Sequence, residues 1–165
     1  MTRRIRRGCL VWVLVLASGF TTPATPTEMP AAGAAGGITG SIVGLTNAER
    51  GDAGVTALRV SNQLMQAAQL HAEQMARTGQ MSHEISGVRY PEPKDRLAAV
   101  GYRWGTYGEN IAMGQTSAAA VMDSWMHSSG HRANILNGRF REIGVGVARD
   151  SAGRRYYVQV FGTTL

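Results

Sequence analysis

The chain has a single cysteine, Cys9, and it lies inside an apolar run near the N-terminus. Nothing behind that run can form a disulfide, so whatever folds there is held by its core alone. Small exported domains commonly lean on disulfides; without them roughly 100 residues or more are needed to bury enough apolar surface. The stretch from Gly40 to Leu165 supplies 126 residues, enough for one core.

The opening of the chain predicts export. Arg3, Arg4, Arg6 and Arg7 precede CLVWVLVLA, Cys9 to Ala17, with no acid among them, which is the n-region and h-region of a signal peptide. The apolar run is shorter than the about 20 residues a membrane-spanning helix needs, and Ser18 and Gly19 break it. Residues 1–24 therefore read as a signal peptide, with cleavage after Gly19 or Ala24, or else as an uncleaved anchor, the only membrane attachment expected. Arg6 stands where a twin-arginine signal wants a bulky apolar residue, which favours ordinary secretion. The expected location is extracellular, at the cell envelope. Residues 25–40, rich in Pro, Ala, Gly and Thr, carry too little apolar surface to fold and read as a disordered linker, leaving 41–165 as one domain. The leader also holds four of the seventeen basic residues, so behind Ala24 thirteen basic residues face eleven acidic ones. Such a balance excludes the electrostatic footprint of a nucleic-acid binder. A monomer is expected.

Within the domain, Leu64, Ala68, His71 and Met75 recur at helical spacing between a capping Ser61 and Gly79, predicting the strongest helix of the chain. Shorter helices are expected near LTNAERG, over PKDRLAAV up to Gly101, and over AAAVMDSWMHS from a cap at Thr116 or Ser117 to Gly130. The period then changes to two: Ile143, Val145 and Val147 alternate with Gly144 and Gly146, and RRYYVQVFG follows the turn DSAG, an antiparallel hairpin. Helices first and paired strands last predict an α+β fold with helices around a small antiparallel sheet. Gly144 and Gly146 imply close backbone packing under a helix.

Of the four histidines, His71 falls on the apolar stripe of the long helix and reads as a satisfied core residue, and His127 points to water. His83 and His131 differ, because each is expected just beyond a helix end, where a scaffold presents functional side chains. Glu109, in YGENIA, sits among residues that look buried, and a buried carboxylate needs a partner. Two histidines and a glutamate suit either a divalent ion with an open position or a polar network in a cleft. Gly108 and Gly130 read as turn or helix-end residues, Asn110 and Asn134 as partners of backbone groups, and Trp125, Ile111, Ile135 and Leu136 as core.

The segments HAEQMA, MSH, GYRWGTYGENIAMG, W-x-x-S-x-G-H-R-x-N-I-L from Trp125 to Leu136, EIGVGVA and YYVQVFG, in this order, resemble the CAP superfamily of cysteine-rich secretory, antigen 5 and pathogenesis-related proteins, also called the SCP domain, in its bacterial spelling. The resemblance implies an α-β-α sandwich whose cleft holds two histidines and two acidic residues. Carried over by position, His83 and His131 are the histidines that bind zinc or another divalent cation in some members, and Glu109 is the glutamate of the GEN motif. The second acidic position falls on Ser128, which removes the second carboxylate as a base. The resemblance favours a secreted, non-catalytic binding module for an envelope lipid, glycan or protein ligand. The alternative is a metal-dependent hydrolase of the cell envelope, with Glu109 as its catalytic residue. Serine chemistry at Ser128 or Ser129 is disfavoured, because HSSGH lacks a nucleophile elbow and a helix C-terminus there would oppose an oxyanion. A purely structural His83, Glu109 and His131 network is the third reading.

Overall fold

The computed structural model describes residues 37–165. The expected signal peptide and residues 25–36 of the expected linker lie outside that range. The elements are α1 (Gly37–Asp52), β1 (Arg59–Val60), α2 (Asn62–Thr78), α3 (Pro93–Ala99), β2 (Trp104–Met113), α4 (Ala118–Met126), α5 (Ser129–Ile135), β3 (Glu142–Arg149) and β4 (Arg155–Thr164). The strands form one sheet in the order β1-β3-β4-β2.

β4 lies between two partners, and its side chains alternate between two cores. Tyr156, Val158 and Val160 pack with Leu64, Ala68, Ala72 and Met75 of α2, while Tyr157 and Phe161 pack with Ile42 of α1, Val121, Met122 and Trp125 of α4 and Ile135 of α5. A strand covered on both faces reads as a nearly continuous apolar run, as YYVQVF does. The result is the expected sandwich, with helices on both faces of the sheet.

β3 and β4 form the expected antiparallel hairpin, in register from Glu142 opposite Gly162 to Arg149 opposite Arg155. α2 begins at an N-cap Ser61 whose hydroxyl accepts from the Leu64 amide, and ends at Gly79 with φ 70°. It crosses β3 so closely that a Cβ on Gly144 would overlap the backbone at Leu64 and Met65, and one on Gly146 the backbone at Ala68 and Gln69.

Four expectations are corrected. The sheet is mixed, not wholly antiparallel, because the two-residue β1 pairs in parallel with β3. α1 begins at Gly37, inside the expected linker, and runs through LTNAERG; Gly40 and Gly44 weaken its helical signal, and burial of Ile42 against the second core supplies what propensity does not. The helix over AAAVMDSWMHS stops at Met126; Ser128 is extended at φ −103°, and a separate helix starts at Ser129, so Gly130 lies inside α5 rather than at a helix end. Gly108 is not a turn residue either: it lies within β2, where an added Cβ would come 2.8 Å from the Phe140 ring.

Candidate functional site

β2 carries the centre of the site. Glu109 projects from it into the space between α2, α3 and the loop after α2, and its side chain is 4% exposed. A carboxylate so placed must be compensated, and Arg96 of α3 does so: its Nη2 donates to Oε2 at 3.0 Å and to Oε1 at 3.2 Å. The same guanidinium donates to the carbonyls of His83 at 2.9 Å and Pro91 at 3.1 Å. Arg96 thereby ties the loop that carries His83 to the strand that carries Glu109.

The His83 ring completes the shell, with Nδ1 2.9 Å from Glu109 Oε1. Against an ionised carboxylate this nitrogen is the donor, which leaves Nε2, on the half-exposed side of the ring, as the nitrogen that gains or loses the titrating proton and offers a lone pair when the ring is neutral. The hydrogen bond from His83 to Glu109 outweighs partial burial and raises the histidine pKa. Burial would raise that of Glu109, but the His83 hydrogen bond and the positive charge around it, Arg96 included, hold it below the usual carboxylate value.

The expected consequence is a stability optimum bounded on both sides. The contribution of His83 is fully present below its ordinary value and is lost as pH rises through its raised one. That of Glu109 is present above the ordinary carboxylate value and is lost as pH falls through its lowered one. Urea midpoints measured across pH should show both limbs, and His83→Gln should flatten the upper one.

The structure adds two residues that sequence reasoning did not place here. Arg96 is one. The other is His71, fully buried as expected for a core histidine but not satisfied as expected: Nδ1 lies 3.4 Å from Gln74 Oε1, while Nε2 makes no hydrogen bond and faces Glu109 Oε1 at 3.6 Å. Burial lowers its pKa, so the ring is neutral at neutral pH. The requirement that a buried Glu109 find a partner was the available signal for a nearby cation, though it did not single out Arg96.

His131 arrives from the other face of the sheet. It stands in the first turn of α5 rather than beyond a helix end, so the helix dipole invoked against serine chemistry points the opposite way from that expectation. Its main chain is pinned by Asn110, whose Nδ2 donates to His131 O and to Gln159 Oε1, each at 3.1 Å, and Gln159 in turn donates to Thr46 Oγ1 at 2.7 Å. Asn134 donates to Asn110 Oδ1 at 2.9 Å and to Glu109 O at 3.2 Å. Trp125 Nε1 donates to Ile111 O at 3.1 Å. These last two bonds cap carbonyls on the open edge of β2, so Trp125 of α4 and Asn134 of GHRANIL together interlock with GENIA to close that edge as well as to set the site.

His83 and His131 line one open hollow of about 480 Å³, together with Met81, Ser82, Glu84 and Ile111. Burial, and then the neighbouring His83, lower the pKa of His131. Glu109 lies behind His83 and does not line the hollow. Ser128, at the N-cap of α5, does not line it either and makes no capping bond. His127 is exposed and pairs with Asp123, as its expected outward direction implies.

A mixed sheet between helical layers, with two histidines lining one hollow and a strand-borne glutamate behind one of them, defines a cleft domain of the α-β-α class. The chain belongs to the cysteine-rich secretory protein (CAP) family, whose model matches residues 43–161. It is 39% identical over 105 residues to the uncharacterised protein YkwD of Bacillus subtilis, covering 64% of this chain and 40% of that one. It is 33% identical over 120 residues to the uncharacterised membrane protein YlbC of the same organism, covering 73% and 33%. The chain thus spans less than half the length of these curated relatives. Among solved structures, an extracellular SCP-domain protein of Bacillus anthracis matches with a TM-score of 0.68 at 28% identity, covering 76% of this chain and 40% of that one. Among the described residues no helix is long and apolar enough to cross a membrane.

Proposed function

We propose that this chain is an exported, non-catalytic binding module whose hollow at His83 and His131 takes a divalent metal ion, zinc being the first to test, alongside an envelope lipid, glycan or protein ligand. The observation that carries the non-catalytic reading is the condition of Glu109. A general base near neutral pH needs a matching pKa and reach to a substrate proton. Glu109 is buried behind His83, both its oxygens are engaged by Arg96, and its pKa is held low. Ser128 supplies no second carboxylate, so the hydrolase alternative loses the carboxylate base it would draw from these two positions.

The donor chemistry fits a modest metal site. His83 is backed by a carboxylate in the manner of metal-bound histidines, with Nε2 free to ligate, and His131 shares the same hollow. Among the described residues no three His, Cys, Asp or Glu side chains are grouped to hold an ion, so water or the ligand would complete the coordination. A bound ion would supply a Lewis-acid anchor for an oxygen-bearing ligand group. The export half of the reading is supported by the N-terminal leader pattern and by the extracellular SCP-domain relative.

Calorimetric zinc titration near neutral pH tests the metal role. Saturable binding is expected, abolished in a His83→Ala, His131→Ala double variant that keeps its circular dichroism spectrum. No saturable binding by the native protein overturns zinc as the ion. Turnover of ester, peptide or peptidoglycan substrates that is lost in a folded Glu109→Gln variant would overturn the non-catalytic reading.

A further inference from the structure

We propose that the hollow is a copper site, in which the Met81 thioether and the imidazoles of His83 and His131 hold Cu(I). Resting on the metal-binding reading above, this names the ion the donors suit best. The number of donors in the hollow favours copper. Glu109 is committed to Arg96 and His83, so His83 and His131 are the nitrogen donors on offer, and zinc sites in proteins generally use three or four protein ligands. Two imidazoles leave zinc short. Cu(I) is satisfied with two or three ligands and favours soft sulfur among them, which hard oxygen-seeking ions do not.

Met81 is placed to supply a sulfur donor. It lies two residues before His83 and lines the same hollow as both histidines. It is also one of the few large apolar side chains left in water, 49% exposed, so no core packing holds its sulfur away from an ion. A long unbranched thioether adjusts to an ion with little strain. The Glu109 hydrogen bond to Nδ1 also fixes the His83 ring, so that Nε2 is the nitrogen turned to an ion in the hollow. His131 lines the same hollow from the first turn of α5.

The test uses the full chain and two ions. Cu(I), kept reduced by ascorbate under anaerobic conditions, is titrated against a chromogenic Cu(I) chelator, and zinc is titrated by calorimetry. Cu(I) should bind at least about 100-fold more tightly than zinc, and Met81→Leu should lower the ratio of the two affinities by about tenfold or more. X-ray absorption at the copper edge should show a sulfur scatterer in the native protein and none in Met81→Leu. A Cu(I) affinity no higher than that of zinc, or one unmoved by Met81→Leu, overturns the copper assignment while leaving a zinc site standing. Binding of neither ion overturns both readings.

Discussion

Replacing Glu109 by alanine is expected to destabilise the protein by about 3–5 kcal/mol, because it leaves the Arg96 guanidinium buried without its counter-charge. Arg96 is 1% exposed and has carbonyl partners at His83 and Pro91, but among the described residues no carboxylate other than Glu109 pairs with it. The loss should appear as a lowered urea midpoint with little change in slope. The paired replacement Arg96→Met with Glu109→Leu should recover much of it, since removing both charges avoids the stranded ion. The recovered protein should still fail to bind metal well, because His83 would no longer be oriented by Glu109. Stability and site are thus separable. A Glu109→Ala variant as stable as the native protein would show that Arg96 does not depend on this pair.

Gly146→Ala is the second large effect. The added methyl would overlap the α2 backbone at Ala68 and Gln69, and neither a helix backbone nor the strand beneath it can yield locally. Forcing them apart should cost on the order of 3 kcal/mol, the upper end of overpacking penalties. Gly138→Ala is the matched control: nothing lies within 4 Å of its added Cβ, so its effect should stay within about 0.5 kcal/mol. Thermal unfolding of the two variants side by side measures the difference. Equal melting temperatures would contradict the close approach of α2 to β3.

The same glycines show what was legible in the chain itself. Alternation of Ile143, Val145 and Val147 with small residues announces both a strand and a helix lying on its glycine face, and that is the arrangement found. The cap at Ser61, the stop at Gly79 and the DSAG turn are local signals and emerge as local structure. The residues missed act over distance. Arg96 sits on a seven-residue helix that begins PKDR, a pattern that reads as solvent-exposed, and its carboxylate partner lies on a strand beyond the following loop. His71 has the spacing of a core residue and is one, yet only the packed structure turns its Nε2 toward Glu109. The break between α4 and α5 at Ser128 is similarly invisible, because WMHSSGHRAN has no proline and its one glycine falls inside the second helix. The site itself was readable only in part: His83, His131 and Glu109 are found together, whereas Ser128 stands outside the hollow and Met81 was not among the residues singled out.

In the proposed site His83 and His131 converge on one ion, with Glu109 orienting His83 rather than ligating. A crystal of the protein grown with zinc, and measured at the zinc absorption edge, tests this directly. An anomalous peak in the hollow within ligating distance of both rings is predicted, with the Glu109 carboxylate still bonded to Arg96 and His83. A hollow with no peak, or an ion bound directly by Glu109, would contradict it.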